Sequence, residues 1–314
     1  MKETEPSSPS SPSAPQPTSS PSGQASQPAQ ASRARRSAVA KTLSATTPEQ
    51  AKPSLWLSLS DGGVSPGAPL SAAALSLLEL PDSAPRSVIR DSLYDVIPLG
   101  ALELDLLETP AFIRLQGIKQ LGFVYRIWPG ATHTRFEHSL GVYFLMMRAL
   151  RAMLARAANA IRAGQTHSHD AALSRLGDEL PTTLRTLLAA AMLHDCGHYP
   201  FSHAIEELGA PIIPHERVGR RIIESGAVAA ILERHGLSPQ RVADLIDPPR
   251  DRALPLGDGL LIRLLSGPLD VDKLDYLPRD ARSCNVPYGG VDVTRLLDSL
   301  RLLPAALDAA HGHE

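Results

Sequence analysis

The segment PTTLRTLLAAAMLHDCGH, residues 181–198, narrows the folds open to this chain more than any other. From Leu184 to Leu193 it carries one charge, Arg185, in a run of Leu, Ala and Met. A helix apolar on nearly all sides has to be covered on nearly all sides, so it belongs at the centre of a structure. The run then closes on His194 and Asp195, with His198 and His203 following. Burying such polar groups without partners is costly. Whatever covers the helix must also bring partners to its end.

The covering elements read as further helices. SLGVYFLMMRALRAMLARAANAIRA, 139–163, has Leu140, Phe144, Met147, Leu150 and Leu154 near one face of a long amphipathic helix. GALELDLLETPAFIRLQGIKQLGF reads as two helices parted by Thr109 and Pro110, the threonine as cap and the proline in the first turn. Helices are also expected over 214–225, 226–235, 238–246, 258–265, 268–282 and 293–301. Only SVIRDSLYDVIPL suggests strands, so the class is all-α, a helical bundle with at most a short strand pair near 87–98.

Residues 1–50 are Ser, Pro, Gln and Ala with little to bury, and are expected to be a disordered tail. Arg33, Arg35 and Arg36 there read as a solvated patch. Residues 51–85 read as a linker of unassigned structure, with LSAAALSLLEL as one short helical candidate. That leaves 86–314 as one domain. A net charge of −2 leaves nucleic acid open as a partner without pointing to it. Two cysteines, Cys196 and Cys284, make no disulfide framework and fit a reducing, cytoplasmic setting. Cys196 reads as a small buried side chain. The sequence shows neither a signal-peptide core nor an apolar run long enough to span a bilayer.

His194 and Asp195 supply half of a metal site, imidazole and carboxylate together suiting a borderline divalent ion. Two other segments carry candidates. ATHTRFEHSLGVYF offers His138 just before the long helix, with Ser139 or the preceding turn as its cap. SGPLDVDKLDYLPRDARS offers Asp270, Asp272 and Asp275, on a helix expected to start at Pro268 after Ser266 or Gly267. Taking Asp272 completes a set of two imidazoles and two carboxylates, which leaves positions on a six-coordinate ion for water and phosphate oxygens. A Cys-rich zinc site is excluded by the ligand types. His167, His169, His235, His311 and His313 lack such a context.

The order His138, His194–Asp195, Asp272 resembles the HD-domain metal phosphohydrolase superfamily. IKQLGFVYRIWPGATHTRFEHSLGV, MLHDCGHYPFSHAIEE and DVDKLDYLPRD resemble its dNTP triphosphohydrolase branch, the sterile-alpha-motif-and-HD-domain and bacterial dNTPase-like proteins, over about residues 87–300. The resemblance implies that His138, His194, Asp195 and Asp272 bind one divalent ion (Mn, Mg, Fe, Ni, Co or Zn). It also implies that His198 and His203 face the scissile phosphate. His203 and Glu206, three apart, can pair as a proton donor to a leaving alkoxide. His215, after Pro214 at a helix start, is a phosphate contact by the same resemblance. Arg135, Lys273, Tyr276 and Asp280 would contact triphosphate or sugar, and Gln120 and Leu121 would line the nucleoside pocket. A homo-oligomer is open by the same analogy. The resembling enzymes continue past Glu314, so this domain is expected to lack C-terminal parts of theirs.

Blander readings stand beside these. Arg135 can pair with Glu137 or Asp195, Tyr276 can be core, and Lys273, Asp275 and Asp280 can form a solvated helix face. Pro278 predicts a kink or early end, since an interior proline costs roughly 3 kcal/mol. The alternatives to a dNTP hydrolase are an HD phosphodiesterase or phosphatase on another nucleotide, and a non-catalytic nucleotide-sensing or nucleic-acid-binding module.

Overall fold

The structure, a computed structural model, describes residues 86–165, Leu173, Leu176 and residues 179–301. The expected tail and linker, and His167, His169, His311 and His313, lie outside the described residues. The described part is helical apart from one hairpin, β1 (Ser87–Asp91) and β2 (Asp95–Leu99), antiparallel with Ile89 opposite Ile97 and Asp91 opposite Asp95. Ile97 and Leu99 anchor the hairpin in the core.

Helices α1 (Ala101–Leu107) and α2 (Pro110–Ile113) come next, parted where expected. The Thr109 hydroxyl accepts from the Phe112 amide, and Pro110 needs no donor in the first turn. The second helix is shorter than its apolar pattern suggests and passes into 3₁₀ turns over Arg114–Gly117 and Gly122–Arg126.

The core is built on α3 (Arg135–Arg162) and α4 (Leu180–Leu193), packed against one another. The long helix begins four residues before the expected Ser139. Thr134 and Glu137 form a capping box, with the Thr134 amide donating to Glu137 Oε2 at 2.7 Å. His138 therefore sits in the first turn of α3 rather than ahead of it. From His138 to Met147 every residue is buried, so this stretch is covered on all sides and only its later turns are amphipathic. As its composition requires, α4 is buried almost throughout.

Around this pair lie α5 (His203–Glu206), α6 (His215–Ile223), α7 (Gly226–Arg234), α8 (Pro239–Ile246), α9 (Leu256–Leu261), α10 (Val271–Cys284) and α11 (Val293–Ser299). Helices α8 and α9 cover α4, while α10 and α11 cover α3. The start of α10 is three residues later than expected, because Asp270 is its N-cap: Oδ1 accepts from the Lys273 amide at 2.8 Å. Pro278 does not end this helix, which runs on through Asp280 to Cys284 and stops at Asn285 in the left-handed region. Among the described residues no helix is long and apolar enough to cross a membrane.

Candidate metal centre and active site

Helix α4 ends one residue before His194, whose Nδ1 lies 2.9 Å from the Ala191 carbonyl. Donation there places the proton on Nδ1 and the lone pair on Nε2. His138 is held the same way, Nδ1 lying 2.8 Å from Asp275 Oδ2. The two Nε2 atoms converge to 3.3 Å. Asp272 Oδ1 stands 2.9 Å from His138 Nε2 and 3.8 Å from His194 Nε2. Asp195 reaches the same point, Oδ1 at 3.3 Å from His194 and Oδ2 at 3.7 Å from His138.

Donors about 2.1 Å from an ion and at right angles to one another stand ~3 Å apart; the donor atoms of His138, His194 and Asp195 all lie within 4.8 Å of one another and could hold one small cation, with Asp272 beside the two imidazoles. Two imidazole nitrogens and two carboxylates are also a donor set for a borderline divalent metal. The charges reinforce one another. Burial works against ionisation of Asp195, but His194 and Arg135 hold its carboxyl well below the usual range. Burial likewise opposes charge on His138, yet Asp272, Asp275 and Asp195 push its pKa up to about 10, so a metal ion binding at Nε2 would displace the proton held there toward Asp272 and leave the Nδ1–H on Asp275. Burial also disfavours the Asp272 carboxylate, and His138 and His194 more than offset it.

A second group adjoins the first. His198, His203, Glu206 and His215 bring one donor atom each within 4.8 Å of one another, another arrangement able to hold a metal. His198 touches both groups: its Nε2 lies 3.3 Å from Asp195 Oδ1, and its ring stacks on His215 at 3.7 Å. Burial pushes the His198 pKa down to about 4, outweighing Asp195, so this imidazole is neutral. Its Nδ1 is buried without a partner. Glu206 is bound chiefly to His215, through the backbone amide at 3.0 Å and Nδ1 at 2.8 Å, while the exposed His203 lies at 3.4 Å. The expected His203–Glu206 pair is thus a triad with His215, and the first amide of α6 is already bonded.

The expected substrate contacts divide. Arg135 is buried, donating to Asp195 Oδ2 at 2.6 Å and to the Ser202 hydroxyl at 2.9 Å. It braces Asp195 and the loop before His203, the ion-pair reading rather than a free phosphate contact. Lys273 turns back on its own helix start, donating to the Gly267 carbonyl and Asp270 Oδ2. Asp280 sits 2.7 Å from His133 Nε2. Tyr276 is half-buried on α10, and Leu121 is half-buried at the head of the Gly122–Arg126 turn. Gln120 keeps a buried Oε1 without a hydrogen-bond partner among the described residues. Cys196 is fully buried, its thiol pushed up to about 12 by burial and by Asp195, so it is inert as read.

Sequence reasoning missed several supporting residues. Arg114 donates to the carbonyls of His198 and Cys196 and so holds the turn that carries Asp195. Nothing near it in sequence announces this. Asp275 and Arg279 are fully buried behind His138, so Asp275 belongs to no solvated face. Their i, i+4 spacing on a helix was the available signal.

Residues 135–260 match the family described as HD domain. That segment of the chain is similar to HD domains. Asp272 lies beyond the matched segment, and the fold brings it to His138 and His194. The chain is 30% identical over 229 residues to human "Deoxynucleoside triphosphate triphosphohydrolase SAMHD1", covering 63% of this chain and 33% of that protein. It is 35% identical over 199 residues to uncharacterized protein YwfO of Bacillus subtilis, covering 63% of this chain and 40% of the other. An uncharacterized protein of Methanocaldococcus jannaschii is 32% identical over 213 residues, covering 68% and 37%. The match thus spans well under half of these relatives. Among solved structures, a hypothetical protein from Aquifex aeolicus superposes with a TM-score of 0.55 at 30% identity, covering 71% of this chain and 55% of that one.

Proposed function

We propose that this protein is a metal-dependent phosphohydrolase whose substrates are deoxynucleoside triphosphates, cleaved to a deoxynucleoside and tripolyphosphate. The observation that carries the reading is the convergence of His138, His194, Asp195 and Asp272 from three distant segments, beside a second group of histidines. Similarity to a human protein named as a dNTP triphosphohydrolase supports the choice of substrate.

The four side chains would hold the ion. A divalent ion bound there supplies Lewis-acid stabilisation of phosphoryl charge and a more acidic water. Arg135 keeps Asp195 ionised and aimed. His198 stays neutral; with its Nε2–H toward the Asp195 carboxylate, its unpartnered Nδ1 is an acceptor for a bound water or a substrate hydroxyl. His203, exposed and backed by Glu206, is the group able to reach a leaving alkoxide and protonate it. Gln120 offers its Oε1 to a hydroxyl or amine of the nucleoside.

The test is a panel of dNTPs, NTPs, nucleoside monophosphates and cyclic nucleotides with Mn²⁺, separating tripolyphosphate from pyrophosphate and phosphate. Tripolyphosphate from dNTPs, lost in Asp195→Ala and in Asp272→Ala, is the expected result. Turnover unchanged in both variants removes the proposal. Turnover confined to another nucleotide class keeps the metal chemistry and replaces the substrate.

A further inference from the structure

We propose that Asp275 is a positioning residue for His138, with its aim set by Arg279 and by Tyr94 in the β-hairpin turn. The inference rests on the reading of His138 as a metal ligand. It concerns what fixes the lone pair of that ligand.

The carboxylate of Asp275 is fully buried and each of its oxygens is engaged. Oδ2 accepts from Arg279 Nε at 2.8 Å and lies 2.8 Å from His138 Nδ1. Oδ1 accepts from the Tyr94 hydroxyl at 2.7 Å and from Arg279 Nη2 at 3.0 Å. Arg279 is itself clamped from the far side, its Nη1 lying 2.9 Å from Asp91 Oδ2. Asp91 closes the hairpin turn, with Oδ1 accepting from the amides of Leu93 and Tyr94 at 2.7 and 3.1 Å. A continuous set of bonds therefore runs from the turn through Tyr94 and Arg279 to Asp275, and from there to the ring of His138.

The long helix makes room for this set. A Cβ on Gly141 would stand 1.9 Å from Asp275 Oδ1 and 2.6 Å from Arg279 Nη2. The carboxylate and guanidinium thus fill the space over a glycine one turn beyond His138. An Asp–Arg pair kept for stability alone needs no imidazole, and buried ion pairs are often matched in stability by apolar side chains. Here the third partner is an imidazole whose opposite nitrogen lies 2.9 Å from Asp272 and 3.3 Å from His194. A carboxylate on Nδ1–H selects the tautomer with its lone pair on Nε2, stops ring rotation and makes that nitrogen a better donor. The Tyr94 hydroxyl remains a donor, since burial and Asp275 raise its pKa.

The experiment is calorimetric titration of the full chain with Mn²⁺ alone, at a temperature where every variant is folded. Asp275→Asn is expected to weaken Mn²⁺ binding by about 10- to 100-fold. Tyr94→Phe is expected to weaken it less, by several-fold. The double variant should bind like Asp275→Asn, because the tyrosine acts through the aspartate. Leu232→Ala, a core truncation in α7, is the control: it should lower Tm and leave the Mn²⁺ Kd unchanged. A Tm drop in Asp275→Asn and Tyr94→Phe with an unchanged Kd assigns the network to structure and overturns the proposal. If Asp275→Asn does not fold, the Kd of Tyr94→Phe decides alone. A wild-type chain that binds no Mn²⁺ overturns the ligand reading itself, and this inference with it. That result is distinct from a wild type that binds alongside variants that bind equally well.

Discussion

Gly197, inside the turn that carries Asp195, makes the closest backbone approach in the site, and replacing it with alanine has a calculable cost. A Cβ there would stand 2.0 Å from the His215 carbonyl oxygen, 2.4 Å from the Gly219 amide nitrogen and 2.9 Å from the Gly219 Cα. All three atoms are backbone of α6, so no rotamer change relieves the overlap. Ordinary contact begins near 3.4 Å, so the turn and helix must separate by about 1.4 Å, the difference between 3.4 and 2.0. Overpacking costs about 1–3 kcal/mol where neighbours can adjust, and a rigid helix puts this case near 3 kcal/mol. At ~2–4 °C per kcal/mol for a domain of this size, Tm should fall by roughly 6–12 °C. The same separation pulls apart the 3.7 Å stack of His198 on His215, so turnover at a temperature where the variant is folded should fall too. Gly219→Ala is the counter-experiment. Its Cβ would meet Cys196 Sγ and the Gly197 amide at 3.6 Å, and alanine gains about 1 kcal/mol over glycine inside a helix. That variant should melt at or above wild type. The two variants are followed by thermal denaturation and hydrolysis. Gly197→Ala melting within about 2 °C of wild type with full turnover, or Gly219→Ala falling as far, refutes the close-packing argument.

Three further outcomes can be checked. Asp258 is fully buried and its carboxylate is bound by Arg241 at 2.6 and 2.7 Å, so Arg241→Ala strands a buried charge and should cost ~3–5 kcal/mol in urea denaturation. Mn²⁺ affinity of the folded variant should not change, and a stability loss under about 1 kcal/mol contradicts the reading. Asp105 has its pKa lowered by His235 and then by Arg234, so the pair's contribution is present above the ordinary carboxylate pKa and lost as pH falls through the lower folded value. Asp105→Asn should therefore flatten the acid limb of Tm against pH, by an amount under ~1 kcal/mol for so exposed a pair; an unchanged limb counts against it. Iodoacetamide on the native protein should modify the partly exposed Cys284 first and reach Cys196 only on unfolding; early loss of the Cys196 thiol would contradict its burial.

Much of the helical order is legible in the chain because caps and periodicity are local. Thr109–Pro110 parts two helices, the apolar 184–193 run lies inside, and helices near 215–223, 226–234 and 239–246 fall within a few residues of expectation. The misplaced starts are also local in cause. Thr134–Glu137 and Asp270–Lys273 outcompeted the weaker candidates Ser139 and Pro268 as helix starts. Residue types in the site were legible as well, since few purposes collect two histidines and two carboxylates around a buried helix end.

What the sequence alone determined is thus the inventory: an all-α frame and a set of donors suited to a divalent ion. What the tertiary structure decided is which atom of each donor faces which partner. Asp270, Asp272 and Asp275 lie within six residues, yet one caps its helix, one meets the two imidazoles, and one backs His138 from behind. Arg135 faces the Asp195 carboxylate, and Glu206 faces His215 more closely than His203. The reason is that successive residues on a helix point about 100° apart. Direction therefore depends on where the helix begins and on what packs against it. For this site the packing comes from segments more than fifty residues distant in the chain.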